Sequence, residues 1–83
     1  MPKLGVIAGG GALPGQVISA CRETGRDFFV LAFEGSADPA ILGDAPVQWI
    51  RMSGLSKAFE SARREGVEEL VLVGKIPVSV WLE

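Results

Sequence analysis

Apolar positions along the chain alternate between short continuous runs and longer helical repeats. Leu4 to Ala8 is a continuous apolar run that stops at glycines, the pattern of a strand covered on both faces of a parallel sheet. From Leu13 the positions Leu13, Val17, Ile18, Ala20 and Cys21 recur at helical spacing, and Gly25 supplies a stop. Phe28 to Phe33 is a second apolar run, rich in aromatic and β-branched residues and closed by the turn residues Glu34-Gly35-Ser36. Asp38-Pro39-Ala40-Ile41-Leu42-Gly43 places an N-cap before a proline and a glycine one turn later, which predicts a short helical connector. Val47 to Met52 mixes apolar and polar residues, fitting a strand nearer the sheet edge. A long helix then starts at Ser53 or Gly54 and ends at Gly66. Its inward stripe is Leu55, Ala58, Phe59, Ala62 and Val67, with Lys57, Glu60, Arg63, Arg64 and Glu65 toward water. Glu69 to Val73 runs into Gly74-Lys75 and reads as another buried strand.

Strand, helix, strand, short turn, strand, helix, strand is an α/β pattern whose crossovers are right-handed. It predicts a Rossmann-like three-layer fold with a four-stranded parallel sheet in the order 3-2-1-4. Residues 1–77 make up this domain. Residues 78–83 read as the start of a following segment or as a vector-derived end at Leu82-Glu83, because Val78, Val80, Trp81 and Leu82 close the chain without a polar tail. Trp49 and Trp81 are read as core or interdomain packing residues rather than base-stacking platforms.

Composition narrows the function classes. With 83 residues, 48% hydrophobic and 22% charged, the chain suits one soluble globular domain. The net charge of −2 is spread over interspersed acidic and basic residues, so no basic stripe favours nucleic acid. Cys21 stands alone, which rules out an intrachain disulfide and fits a buried thiol in a cytoplasmic protein. The absence of histidine removes the commonest general base and metal ligand from this stretch. No signal-peptide core and no run of the ~20 apolar residues needed to span a bilayer is present.

Open parallel sheets bind ligands at the carboxyl ends of their strands, where the crossover direction reverses. Four loops meet that rule: Gly9 to Pro14, Glu34 to Ser36, Ser53-Gly54 and Gly74-Lys75. Gly9, Gly10 and Gly11 allow a sharp turn and close approach of a ligand, and the amides opening the following helix, at Ala12 and Leu13, favour a phosphate. Pro14 stands where a dinucleotide fingerprint would carry its third glycine, so the turn departs from that fingerprint. Glu34 is placed to accept from a ribose or else to be solvated, and Lys75 after Gly74 is placed to meet a phosphate oxygen. Ser53 is read first as the N-cap of its helix, whose amides face the same crevice. Lys57 is read as a solvent-facing lysine. No nucleophile with an adjacent base, paired carboxylates or clustered metal ligands stand out, so neither a catalytic nor a metal-binding residue is assigned.

Leu4-Gly5-Val6-Ile7-Ala8-Gly9-Gly10-Gly11-Ala12-Leu13-Pro14 resembles the opening of the LpxI-type UDP-2,3-diacylglucosamine pyrophosphatases. Gly54-Leu55-Ser56-Lys57-Ala58-Phe59, Glu65-Gly66-Val67 and Val73-Gly74-Lys75-Ile76 are similar to later segments of that family, in order. The resemblance implies hydrolysis of a UDP-linked diacylglucosamine to UMP and 2,3-diacylglucosamine 1-phosphate (lipid X) in lipid A biosynthesis, supported by Mg²⁺. It further implies a Rossmann-like N-terminal domain, a larger C-terminal domain carrying an essential aspartate, and a site between them. On that basis the 83 residues bind substrate, hold no cofactor of their own, and lack hydrolase activity without the C-terminal domain. A homodimer and peripheral contact with the inner membrane fit the parent protein. Ile76-Pro77-Val78-Ser79-Val80-Trp81 departs from the arginine- and proline-containing loop of relatives, so no contact is carried onto it. The alternatives are a nucleotide- or NAD-binding Rossmann module without hydrolase activity and a fragment that only self-associates through its apolar end.

Overall fold

A computed structural model describes residues 2–76 of the chain. The apolar runs become β1 (Lys3–Ala8), β2 (Phe28–Phe33), β3 (Val47–Ile50) and β4 (Val67–Val73). Between them lie α1 (Leu13–Thr24), the one-turn α2 (Pro39–Leu42), a 3₁₀ turn at Met52–Gly54, and α3 (Leu55–Arg64). The strands form one sheet in the order β3-β2-β1-β4, and every pairing is parallel, as predicted. Residues 78–83, including Trp81, lie outside the described residues. No described helix is long and apolar enough to cross a membrane.

Local chemistry sets the element ends. Gly25 closes α1 in the left-handed conformation, its amide donating to the carbonyls of Arg22 and Cys21. The Asp38 carboxylate accepts from the Ala40 amide at 2.9 Å and starts α2 ahead of Pro39. One core cluster, on the α1 side, joins Ile18 and Leu42 to Val6, Ala8, Val30, Ala32 and Val73. The other, on the α3 side, joins Ala58 and Ala62 to Leu31, Phe33 and Ile50. Cys21 is buried, as its helical position implied.

Several expectations are corrected. On α1 the buried residues are Pro14, Ile18 and Cys21, whereas Leu13 and Ala20 face out. The third strand stops at Ile50, with Met52 already in the 3₁₀ turn. Ser53 sits inside that turn and caps nothing: Gly54 is the N-cap of α3, with no side-chain hydrogen bond. Phe59, read as inward, is 40% exposed, and Trp49 on the edge strand β3 is equally exposed, so it is not a core residue of this sheet. The largest difference is β4, expected to be buried. It forms the sheet edge, and Leu70, Val71 and Leu72 are 50%, 37% and 55% exposed. On the α3 side Ala58 and Ala62 pack with Leu31, Phe33 and Ile50 of β2 and β3, and Leu70 and Leu72 stand on that side of the sheet, whereas Val71 faces the α1 side.

Glu68 adds a bulge at the start of β4, since Lys3 pairs with Val67 but Leu4 pairs with Glu69. Val67 and Leu70 therefore both flank Gly5. A Cβ there would lie 2.6 Å from Leu70 Cδ2 and 2.8 Å from Val67 Cγ1.

Two outcomes are expected. In urea unfolding of the 83-residue chain, Leu31→Ala, at a fully buried site, costs about 2–5 kcal/mol, whereas Leu72→Ala costs under about 1 kcal/mol. Arg22 donates to Asp44 at 2.7 Å and holds that carboxyl below its usual range, through the hydrogen bond first and its charge second. A lowered carboxylate contributes stability above its unfolded-state value and loses it as pH falls through the lowered folded-state value. NMR titration is thus expected to find Asp44 below ordinary aspartates, with Arg22→Gln moving its midpoint upward.

Candidate functional site

The carboxyl ends of β1 and β4, the two strands flanking the reversal of crossover direction, are tied together directly. The Gly9 amide donates to the Val73 carbonyl at 2.8 Å and the Gly10 amide to the Lys75 carbonyl at 2.7 Å. The Lys75 amide returns a bond to the Gly10 carbonyl at 3.0 Å, making an isolated antiparallel bridge. Glycine is required on both sides of this clasp. A Cβ on Gly9 would lie 2.5 Å from the Lys75 carbonyl oxygen, and one on Gly74, whose φ is +99°, would lie 2.7 Å from the Gly10 oxygen. The amides of Gly9 and Gly10 are therefore spent within the protein.

The next three amides are not. Gly15 and Gln16 donate to the Ala12 carbonyl at 3.1 and 3.4 Å, and Pro14 has no amide to give. Among the described residues, no acceptor meets the amides of Gly11, Ala12 or Leu13. Ala12 is the N-cap of α1 and makes no side-chain cap bond, and the first turn carries no acidic residue. Alanine is among the poorest N-caps, and uncapped amides at the positive end of a helix dipole favour an anion. Nothing lies within 4 Å of a Cβ built on Gly11, so the space over this turn is open.

The chain matches the model of the LpxI N-terminal domain over residues 3–81. It is also 38% identical over 76 residues, 92% of its length, to the UDP-2,3-diacylglucosamine pyrophosphatase LpxI of Caulobacter vibrioides. The chain belongs to the LpxI family. It spans 27% of that relative's length.

In this chain the remaining predicted site residues take different places. Gly74 and Lys75 stand at the clasp, against the glycine turn. Glu34 follows β2, but its carboxylate accepts from Arg51 Nε at 2.8 Å, so a ribose would have to share it. Ser53 is exposed in the 3₁₀ turn after β3, and no bond ties it to the other three loops. Lys57 is exposed, as read.

Two residues were passed over. Arg51 brings a cation to the carboxyl end of β3, and reading that strand as stopping at Ile50 would have found it. Ser36 lies against the turn, its carbonyl oxygen 2.9 Å from where a Gly10 Cβ would be. Its buried hydroxyl has no hydrogen-bond partner among the described residues.

A groove of about 500 Å³ between α1 and α2 shares only Ala12 with the turn; small and apolar side chains line it together with Gln16, Ser19 and Glu23. It offers an anion no cation. For Mg²⁺, which takes carboxylate, phosphate and water oxygens, the described residues do not fit. No three carboxylate or thiol side chains gather among them, and Glu34 is already held by Arg51. What the arrangement offers is three backbone amides at Gly11, Ala12 and Leu13 with no acceptor among the described residues.

The clasp sets a stability expectation. Gly74→Ala, at a left-handed backbone position pressed on Gly10, is expected to cost roughly 1–3 kcal/mol in urea unfolding. Gly54→Ala, where nothing lies within 4 Å, changes stability by under about 1 kcal/mol.

Proposed function

We propose that this chain is the N-terminal, substrate-binding part of a Mg²⁺-dependent UDP-2,3-diacylglucosamine pyrophosphatase of lipid A biosynthesis. Water adds to one phosphorus of the diphosphate and the bridging P–O bond breaks, giving UMP and 2,3-diacylglucosamine 1-phosphate. The observation that carries this reading is the set of unsatisfied amides at Gly11, Ala12 and Leu13, in a chain of the LpxI family. A diphosphate supplies the oxygens these donors lack. Lys75, on the adjoining loop, adds positive charge, and Glu34, shared with Arg51, is at hand for a sugar hydroxyl. The catalytic groups and the Mg²⁺ ligands belong to the rest of the longer protein, so these 83 residues alone do not hydrolyse substrate. Metal would serve there to stabilise charge on the phosphoryl oxygens.

The test uses the full-length product of the gene. With Mg²⁺ and UDP-2,3-diacylglucosamine it is expected to release UMP, and the absence of UMP defeats the proposal. Inorganic pyrophosphate should move the amide resonances of Gly11, Ala12 and Leu13 more than those of Gly9 and Gly10. Ala12→Pro removes one amide where φ is −85°, close to the proline value. It is expected to weaken pyrophosphate binding about tenfold or more, as loss of a hydrogen bond to a charged group would.

A further inference from the structure

Next to the free amides, the ends of β2 and β3 carry a donor and an acceptor side by side. The Glu34 amide donates to the Ile50 carbonyl at 2.9 Å, so the parallel pairing of Phe33 with Ile50 runs on by one residue and sets Glu34 beside Arg51. Strand alternation fixes their face. Phe33 and Ile50 belong to the cluster on the α3 side, so Glu34 and Arg51 project on the α1 side, where the amides of Gly11, Ala12 and Leu13 open that helix. Arg51 Nε donates to Glu34 Oε2 at 2.8 Å. Among the described residues this contact is single, leaving Glu34 Oε1 without a donor and the Arg51 Nη groups without an acceptor. Both side chains are largely open to solvent, Arg51 at 70% and Glu34 at 49%.

Charge decides what such a pair can take. The Glu34 carboxylate cancels the Arg51 charge, so the pair pulls weakly on a phosphate, whereas its adjacent acceptor and donor match a neutral edge that offers an N–H beside a C=O. The imide of uracil is such an edge. Adjacent strands lie about 4.8 Å apart, which puts Glu34 one spacing and Arg51 two from the end of β1. That is within reach of the base of a nucleoside diphosphate whose phosphates sit on the glycine turn. Trp49, two residues before Arg51 on the same face and 40% exposed, adds a flat apolar surface for a base.

We propose that the Glu34–Arg51 pair selects the base of the substrate. Glu34 Oε1 accepts from uracil N3–H, and an Arg51 Nη group donates to an adjoining uracil carbonyl. This rests on the reading that the diphosphate of a UDP-linked substrate sits on the amides of Gly11, Ala12 and Leu13. With the phosphates fixed there, cytosine would set its bare N3 acceptor against the carboxylate with no proton between them. A sugar hydroxyl could use either group alone, and neither residue would then tell one base from another.

The experiment is isothermal titration of the full-length protein with pyrophosphate, UDP, CDP and 3-methyl-UDP, which lacks the N3 proton. UDP is expected to bind about tenfold or more tighter than CDP and 3-methyl-UDP. Glu34→Gln, whose amide can turn a donor toward cytosine N3, and Arg51→Ala are each expected to bring the ratio of UDP to CDP affinity below about threefold. Taking the ratio cancels any change in the phosphate contact. Equal binding of UDP and CDP overturns the proposal, as does a ratio that survives both substitutions, or pyrophosphate binding without UDP binding. Pyrophosphate that fails to bind while the ratio stands counts against the amides and leaves the pair supported.

Discussion

The backbone contact between the turn after β1 and the loop after β4 governs the site. Three hydrogen bonds join Gly9 and Gly10 to Val73 and Lys75, and the chains approach so closely that a Cβ on Gly9 or Gly74 would press into carbonyl groups. Each bond contributes about 0.5–1.5 kcal/mol net, but their geometric effect exceeds their energy. The two loops are far apart in sequence and meet only once α3 has carried the chain back across the sheet and β4 has paired with β1. Sheet completion and site formation are therefore one event.

That contact also divides the work of the three glycines. A run of glycines after a first strand suggests that all three approach a phosphate. Here the first two are consumed in holding the loops together, and the third, with φ near +90°, turns the chain so that its own amide and those of Ala12 and Leu13 emerge unpaired. The weak cap at Ala12 belongs to the same logic. A serine or aspartate there would satisfy an amide internally and, if aspartate, would repel an anion. Local stability is thus left incomplete at the turn where an anion is proposed to bind.

Much of the scaffold was legible because apolar runs and punctuation carry it. Phe28 to Phe33 holds its bounds, Gly25 stops α1, Asp38 and Pro39 start α2, and crossover handedness fixes the order 3-2-1-4. What failed to show in the sequence depends on pairing between distant groups. Periodicity marks Phe59, Leu70 and Leu72 as apolar without saying what lies against them, so exposure could not be read. Ser53 has the right chemistry for a cap, yet the backbone spends a 3₁₀ turn before α3 begins at Leu55. The Glu34–Arg51 pair joins two strand ends, and nothing in either run announces it. Among the residues that carry the family resemblance, Gly9 and Gly74 stand in the clasp, where a Cβ on either would press on backbone carbonyl groups.

The exposure of β4 follows from its register rather than from loose packing. At its amino end the bulge at Glu68 sets Val67 and Leu70 on either side of Gly5, where a larger residue would collide with both. At its carboxyl end the clasp pins Val73 and Lys75 to the glycine turn. A one-residue slip would move Leu70 and Leu72 to the opposite face, but it would break the clasp and separate the amides of the turn from the Lys75 loop. The geometry that frees the amides of the proposed anion site thus holds an apolar strand in the open.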